Sequence, residues 1–305
     1  MTGSYFFMHK FTKLISVLIE CAIFMSYNLL MYIAIITGAS SGMGVEFARQ
    51  LAQKMLYDEI WIIARRTEKL EDVAGKINSE IKKHVVRPVA MDISGKEGVQ
   101  RFKDFFLTEN EIHKNPDTKN GNGITVGMLI NNAGFGTYGP FEETSVTREM
   151  DMVDLNCTAL TGLCGVVLPF LTAGSIIINT ASLASFLPLG NFAVYGATKA
   201  YVLSFSMALA AELKDKGIKV CALCPGPVST EFANVASNGA RPEVKNGLPA
   251  DKVVAHCLKK AFDGKYTAIY SFKWKFKAAA SRFVGRFAGA RFTYKYNKRP
   301  HNPDL

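Results

Sequence analysis

The stretch that most constrains the fold is residues 32–44, YIAIITGASSGMG. A β-forming run from Tyr32 to Thr37 leads directly into a glycine cluster, and Val45, Phe47, Ala48, Leu51 and Ala52 then repeat at helical spacing on one apolar face. Strand, tight glycine turn and helix in that order are the start of a dinucleotide-binding βαβ unit. Gly38 permits the turn through backbone angles closed to other residues. Gly42 and Gly44 carry no side chain where a pyrophosphate must come close and where the helix must pack on the strand. The helix N-terminus offers unpaired N–H groups and partial positive charge to that phosphate. A glycine-rich turn without a ligand shows the same trio, so the rest of the chain decides.

Apolar runs at residues 59–64, 84–90, 124–130, 175–180 and 218–224, with a short one at 266–270, read as further strands. Helical patterns lie between them, over residues 67–83, 96–107, 147–171, 194–216 and 251–263. Apolar strands alternating with helices predict an α/β fold, a doubly wound, Rossmann-like parallel sheet covered on both faces. One domain spans residues 31–270, and residues 271–305 form a basic C-terminal extension. Residues 108–123 are polar, with Pro116, Gly121 and Gly123, and read as a surface loop. Residues 1–30 form a hydrophobic N-terminal extension outside the fold. Their apolar stretch, residues 14–30, falls short of the about 20 residues of a spanning helix and contains Glu20. A weak anchor and an accessory helix are alternatives to the favoured expectation, an early start with Met31 as the natural one.

The formal net charge is +10, and nine of the 36 basic residues stand between positions 271 and 299 with no acid among them. They are Lys273, Lys275, Lys277, Arg282, Arg286, Arg291, Lys295, Lys298 and Arg299. The body is therefore nearly neutral. Read as one helix from Lys275, the tail aligns Phe276, Ala280, Phe283 and Phe287 on one side, with Lys275, Arg282 and Arg286 beside them. The first expectation is that this stripe docks on the domain as a lid over the substrate cleft. The second is peripheral contact with anionic lipid. No nucleic-acid-binding module is recognisable, so nucleic acid is not an expected partner. Cys221 and Cys224 form a CxxC on an apolar strand with no ligand set around it, which predicts buried thiols and no metal. Nothing in the six cysteines suggests a disulfide framework, so a reducing cytoplasm is expected.

Tyr195 and Lys199 stand four apart on one predicted helix face, and Ser182 follows the fifth strand. A free tyrosine has a pKa of about 10. An ammonium close by is expected to lower it by about 1–3 units. Ser182 could hydrogen-bond the same substrate oxygen. Together these groups make a general acid/base site for carbonyl and alcohol chemistry.

With these motifs in place, the sequence resembles the short-chain dehydrogenases/reductases over about residues 31–270. TGASSGMG at residues 37–44 is similar to the family's glycine turn, NNAG at 131–134 to its mark after the fourth strand, and Ser182, Tyr195 and Lys199 to its Ser and YxxxK. The resemblance implies that Tyr195 is the acid/base, that Lys199 lowers its pKa and holds the ribose hydroxyls, and that Ser182 orients the carbonyl. Asn156 would hold a water in a proton relay through Lys199. It further implies a nicotinamide cofactor held by Thr37, Gly38, Ser40, Ser41, Gly42, Met43, Gly44, Arg65, Asp92, Ile93, Asn132, Ala133, Gly134, Tyr195, Lys199, Pro225, Gly226, Val228 and Thr230. The family commonly pairs its long helices, which implies a dimer or tetramer.

NADP(H) is expected over NAD(H). An NAD-selective site places an acid roughly 20 residues beyond the glycine turn. Here Arg65 and Arg66 stand there instead, with Arg65 on a 2′-phosphate and Arg66 facing solvent. The substrate is expected to be a hydrophobic ketone or alcohol gripped by residues 183–192 and 231–248. Leu183, Phe186, Leu187, Leu189 and Phe192 suit a hydroxysteroid-like substrate first and a 3-oxoacyl one second. A cofactor-binding sensor or scaffold without turnover is the alternative from another class.

Overall fold

The computed structural model describes residues 31–114, 123–242, 244 and 246–303. The N-terminal extension and residues 115–122 of the polar loop lie outside the described residues.

Seven strands form one sheet: β1 (Met31–Thr37), β2 (Glu59–Ala64), β3 (Val86–Ala90), β4 (Ile124–Asn131), β5 (Ile176–Thr180), β6 (Lys219–Leu223) and β7 (Thr267–Ala268). Their order is β3-β2-β1-β4-β5-β6-β7, and every pairing is parallel. The side-chain period of two explains why the strands read as continuous apolar runs. Ala34 and Ile36 enter the core on one face of β1, while Ile33 and Ile35 enter the core on the other. Helices α1 (Gly42–Lys54), α2 (Thr67–Ile81) and α8 (Ala250–Phe262) cover the first face. The second is covered by α3 (Gly95–Ile112), α5 (Leu160–Val167) and α6 (Ala193–Leu213). From β1 the chain runs outward through β2 to β3, then returns to β4 on the other side of β1. The crevice beyond the carboxyl ends of β1 and β4 is therefore the topological switch point, where such sheets bind ligands.

Four departures from the sequence reading have physical causes. Helix α3 continues through Ile112, five residues beyond the expected end, because its polar residues bond locally. Thr108 Oγ1 donates to Asp104 O at 2.8 Å, and buried Asn110 Oδ1 accepts from Ile124 N at 2.9 Å, tying the helix end to β4. The single helix expected over 147–171 is α4 (Val146–Val153), a π-helical turn at Asp154–Ala159, then α5. A short helix, α7 (Phe232–Ala236), interrupts the substrate segment. The tail is two helices, α9 (Phe272–Ala280) and α10 (Arg286–Tyr296), separated by a 3₁₀ turn at Ser281–Phe283 and an extended Val284.

That break corrects the docking expectation. The tail does pack on the domain, but Phe276, Phe283 and Phe287 point outward. Trp274 and Tyr294, together with small and polar residues, make the contacts. Ala278, Ser281 and Gly289 are buried, and a Cβ on Gly190 would stand 2.5 Å from Tyr294 Cβ, so only a glycine there lets α10 approach this loop.

Candidate active site

The crevice is a cleft of about 1070 Å³, lined by Gly38, Ser40, Ser41, Gly42, Met43, Arg65, Asp92, Ile93, Asn132, Ala133, Gly134 and Thr230, among others. Its floor is locked by Thr37, whose Oγ1 accepts from Asn132 N and Ala133 N at 3.0 Å each. Asn132 Nδ2 donates back to Thr37 O and Gly38 O, at 3.1 and 3.2 Å. The glycine turn leaves no space for side chains. Gly38 has φ +66°, and a Cβ there would meet Ala133 Cα at 2.7 Å; on Gly42 it would meet the Thr230 methyl at 2.9 Å and on Gly44 the Gly38 carbonyl at 2.3 Å.

At the rim, burial raises the pKa of Asp92, but the hydrogen bonds from Ser94 and the charges of Arg65 and Arg101 outweigh it and hold the carboxyl below its usual range. Arg65 lines the cleft. Arg66 does not simply face solvent, as the sequence reading had it. Its guanidinium donates to Ser40 Oγ at 2.9 and 3.2 Å and to Glu231 Oε2 at 3.0 Å, bridging the glycine turn to the segment after β6. Pro225, Gly226 and Val228 are not among the residues that line this cleft. Trp274 of α9 lies against Gly226, where a Cβ would stand 2.7 Å from the indole, and Val228 bridges to Leu248.

Beyond Gly134 the four expected polar groups converge. The π-helical turn directs Asn156 inward, and it is buried. Its Oδ1 accepts from Phe135 N at 3.1 Å, and its Nδ2 donates to Phe135 O at 3.0 Å and to Thr198 Oγ1 at 3.1 Å. Lys199 Nζ donates to Thr180 O at 2.7 Å and lies 5.7 Å from the centre of the Tyr195 ring. A Cβ on Gly134 would stand 2.7 Å from Asn156 Oδ1 and 3.4 Å from Lys199 Nζ, so this glycine keeps the two groups next to the cleft. Ser182 caps the turn after β5 by accepting from Ala184 N at 3.1 Å.

The electrostatics differ from the expectation that Lys199 lowers the Tyr195 pKa. Burial pushes Tyr195 up to about 12; a hydrogen bond with Ser182 and the charge of Arg299 oppose it, and Tyr138 adds to it. Burial also pushes Lys199 down to about 8. Lys199 Nζ donates to the Thr180 carbonyl, and its charge is not among the influences that lower the Tyr195 pKa here.

Tyr195 is 7% exposed and sits in an aromatic wall that the sequence reading captured only in part. Phe192 stacks on its ring at 4.1 Å, Phe232 packs at 5.4 Å, and Tyr138 meets Phe192 at 4.8 Å. Leu189 joins this cluster, while Phe186 packs into the core and Leu187 against Gly289. Arg299 closes the wall, its guanidinium 4.5 Å from the Phe192 ring centre and 5.1 Å from that of Tyr138. The tail is tied to all three loops around the site. Gly190 N donates to Thr293 Oγ1 at 2.8 Å, His301 Nε2 lies 2.8 Å from Glu143 Oε2, and Asn302 N donates to Ser237 O at 3.0 Å. No sequence signal distinguishes Arg299 from its eight basic neighbours.

The CxxC thiols are buried in the core, and among the described residues no cluster could hold a metal ion.

Residues 32–240 match the family model for short chain dehydrogenase. A very-long-chain 3-oxoacyl-CoA reductase of Neurospora crassa is 29% identical over 278 residues, covering 88% of this chain and 77% of the relative. A hydroxysteroid dehydrogenase-like protein 1 of Gallus gallus is 32% identical over 206 residues, 66% of this chain and 57% of the relative. A short-chain dehydrogenase from Sphingobium yanoikuyae, solved in complex with NADPH, superposes with a TM-score of 0.67 at 26% identity, over 83% of this chain and 94% of that one. The seven-stranded parallel sheet, the glycine cleft at its switch point and the matched residues together show that the chain belongs to the short-chain dehydrogenase/reductase family, oxidoreductases acting on CH–OH groups.

Proposed function

We propose that the protein is an NADP(H)-preferring oxidoreductase interconverting a hydrophobic ketone and its secondary alcohol, with Tyr195 as the acid/base. The observation that carries this is the convergence of Asn156, Ser182, Tyr195 and Lys199 beside a glycine cradle too close-packed for any Cβ.

That cradle suits a dinucleotide. Residues 38–44, Asp92, Asn132, Ala133, Gly134 and Thr230 would hold it, with Arg65 on a 2′-phosphate. When bound, the nicotinamide supplies the hydride in reduction and takes it in oxidation. The chain's own groups handle the proton. At neutral pH the Tyr195 phenol is protonated, with its pKa pushed up to about 12, and it donates to the carbonyl oxygen as reduction proceeds. Ser182, close enough to the phenol to lower its pKa, offers a second hydroxyl to that oxygen. Lys199, fixed on Thr180 O, and Asn156, fixed on Phe135 and Thr198, stand where the lost proton is replaced by relay from the cleft.

Leu189, Phe192, Phe232 and Tyr138 make the substrate wall apolar, which favours a hydroxysteroid-like ketone. A 3-oxoacyl substrate is the second reading, favoured by the single observation that the Arg299 cation lies on that wall, where an anionic carrier could meet it. A scaffold without turnover has no use for four converging groups. The described cysteines are free thiols, which supports a cytoplasmic location. A dimer or tetramer paired through its helices is supported by the exposed Met150, Val153 and Tyr201.

The test is a panel of ketones and alcohols followed by nicotinamide absorbance with NADPH and with NADH. Turnover is expected with NADPH and bulky apolar ketones. Tight NADPH binding without turnover on any member would overturn the catalytic reading, and equal affinity for the two cofactors would overturn the preference.

A further inference from the structure

The two tail helices dock through Trp274, Ala278, Gly289, Thr293 and Tyr294 and turn their phenylalanine rings away from the domain. Ala278 on α9 and Gly289 on α10 are buried, and Thr293 bonds the loop at Gly190. The opposite sides, and the turn between the helices, carry Phe272, Phe276, Phe283, Phe287 and Phe292, exposed by 82, 64, 91, 82 and 57%. Among the described residues Phe141 is the one other phenylalanine so exposed. A cluster of that kind marks an interaction surface. Its charge says what it meets. Lys273, Lys275, Lys277, Arg282, Arg286, Arg291 and Lys295 lie among the rings, and no acid occurs between residues 271 and 303. On α10 the spacing of four puts Phe287, Arg291 and Lys295 in one outward row.

We propose that this outer face of residues 272–296 is a membrane-interface surface that seats the protein on anionic phospholipid. Aromatic rings set at the acyl boundary, flanked by long basic side chains reaching up to phosphates, are the chemistry of an interfacial helix. Burial against an apolar protein surface would desolvate the cations with no acid on this face to pair them. A second copy would bring the same positive charge against itself. The contact is peripheral. The one described helical run long and apolar enough to cross a bilayer, Val146–Phe170, bears Asn156 and packs on the sheet. The surface lies outside the active site, so the proposal stands or falls apart from the assignment of Tyr195.

The test uses the full chain, sedimented with phosphatidylcholine vesicles with and without phosphatidylglycerol, at low and high salt. Binding is expected on the anionic vesicles and is expected to fall with salt. The double variant Phe283→Ser/Phe287→Ser should bind them roughly tenfold more weakly or worse. Each removal among Arg282, Arg286 and Arg291 should weaken binding about fivefold at low salt. All these side chains are exposed, so NADPH affinity and melting temperature should stay at the parent's values, which also shows that the variants fold. The proposal is overturned if the parent ignores both vesicles, if the variants bind as the parent does, or if the double variant only converts a dimer to a monomer with no change in lipid binding.

Discussion

The two walls of the site are built in different ways. The cofactor wall comes from segments 38–44, 65–66, 92 and 132–134, each just past the carboxyl end of a parallel strand. Backbone and short side chains fix it, as in the Thr37 hydroxyl that accepts from Asn132 N and Ala133 N. The substrate wall gathers Tyr138, Phe192, Phe232 and Arg299 from far-apart segments, held by ring packing and by a tail laid across three loops. A wall made at strand ends is written in local spacing, because each residue's place follows from its position after the strand. A wall made by tertiary packing has no such spacing.

Variants can break or sharpen this division. The largest effect should come from Gly44→Ala, which drives a Cβ toward the Gly38 carbonyl, 2.3 Å away, inside the cradle. Overpacking of about 1–3 kcal/mol or more should weaken NADPH roughly 100-fold, read by calorimetric titration. Similar affinity would show that the cradle gives way and is not what holds the cofactor. Arg65→Ala should weaken NADPH roughly 10- to 100-fold and leave NADH nearly unchanged, since a charge-assisted bond contributes about 1.5–3 kcal/mol.

On the other wall, Arg299→Leu should leave NADPH affinity alone and act on the pH profile. The Arg299 charge lowers the Tyr195 pKa against the burial that raises it, so its loss moves that pKa higher. Alcohol oxidation needs the deprotonated phenol, so its rate should rise with pH and the rise should shift to higher pH in the variant. Ketone reduction at neutral pH uses the protonated form and should keep its profile. A shift to lower pH would contradict the assigned cause. The smallest effect belongs to Arg66→Ala. Its contacts with Ser40 and Glu231 are exposed, and such pairs contribute about 0.2–1 kcal/mol, so NADPH affinity should drop only a few-fold.

Legibility in the sequence followed the same division. The sheet, the glycine cradle and the Ser182, Tyr195 and Lys199 trio are readable because strand ends and a helix spacing of four are local, whereas Asn156, on a π-helical turn, is reached only through the family resemblance. Arg66 was misjudged because its partner Glu231 stands 165 residues away, beyond any spacing rule. The bond from Lys199 to the Thr180 carbonyl is not legible in the sequence, because it joins a helix to a strand end. The Phe stripe of the tail was read as a docking face. A hydrophobic row has no sign that tells inside from outside, and the Gly190 and Asn191 loop seats Thr293 and Tyr294 of α10 instead. Nothing singled out Arg299 among nine basic residues, because only the path of the tail over Phe192 distinguishes it.

The most direct test of the account measures NADPH affinity and ketone turnover on one preparation of Tyr195→Phe. The ring and its packing against Phe192 and Phe232 remain, and only the hydroxyl is lost. NADPH affinity should be unchanged and turnover reduced roughly 100- to 10,000-fold. Turnover near that of the parent, with the cofactor still bound, would contradict it.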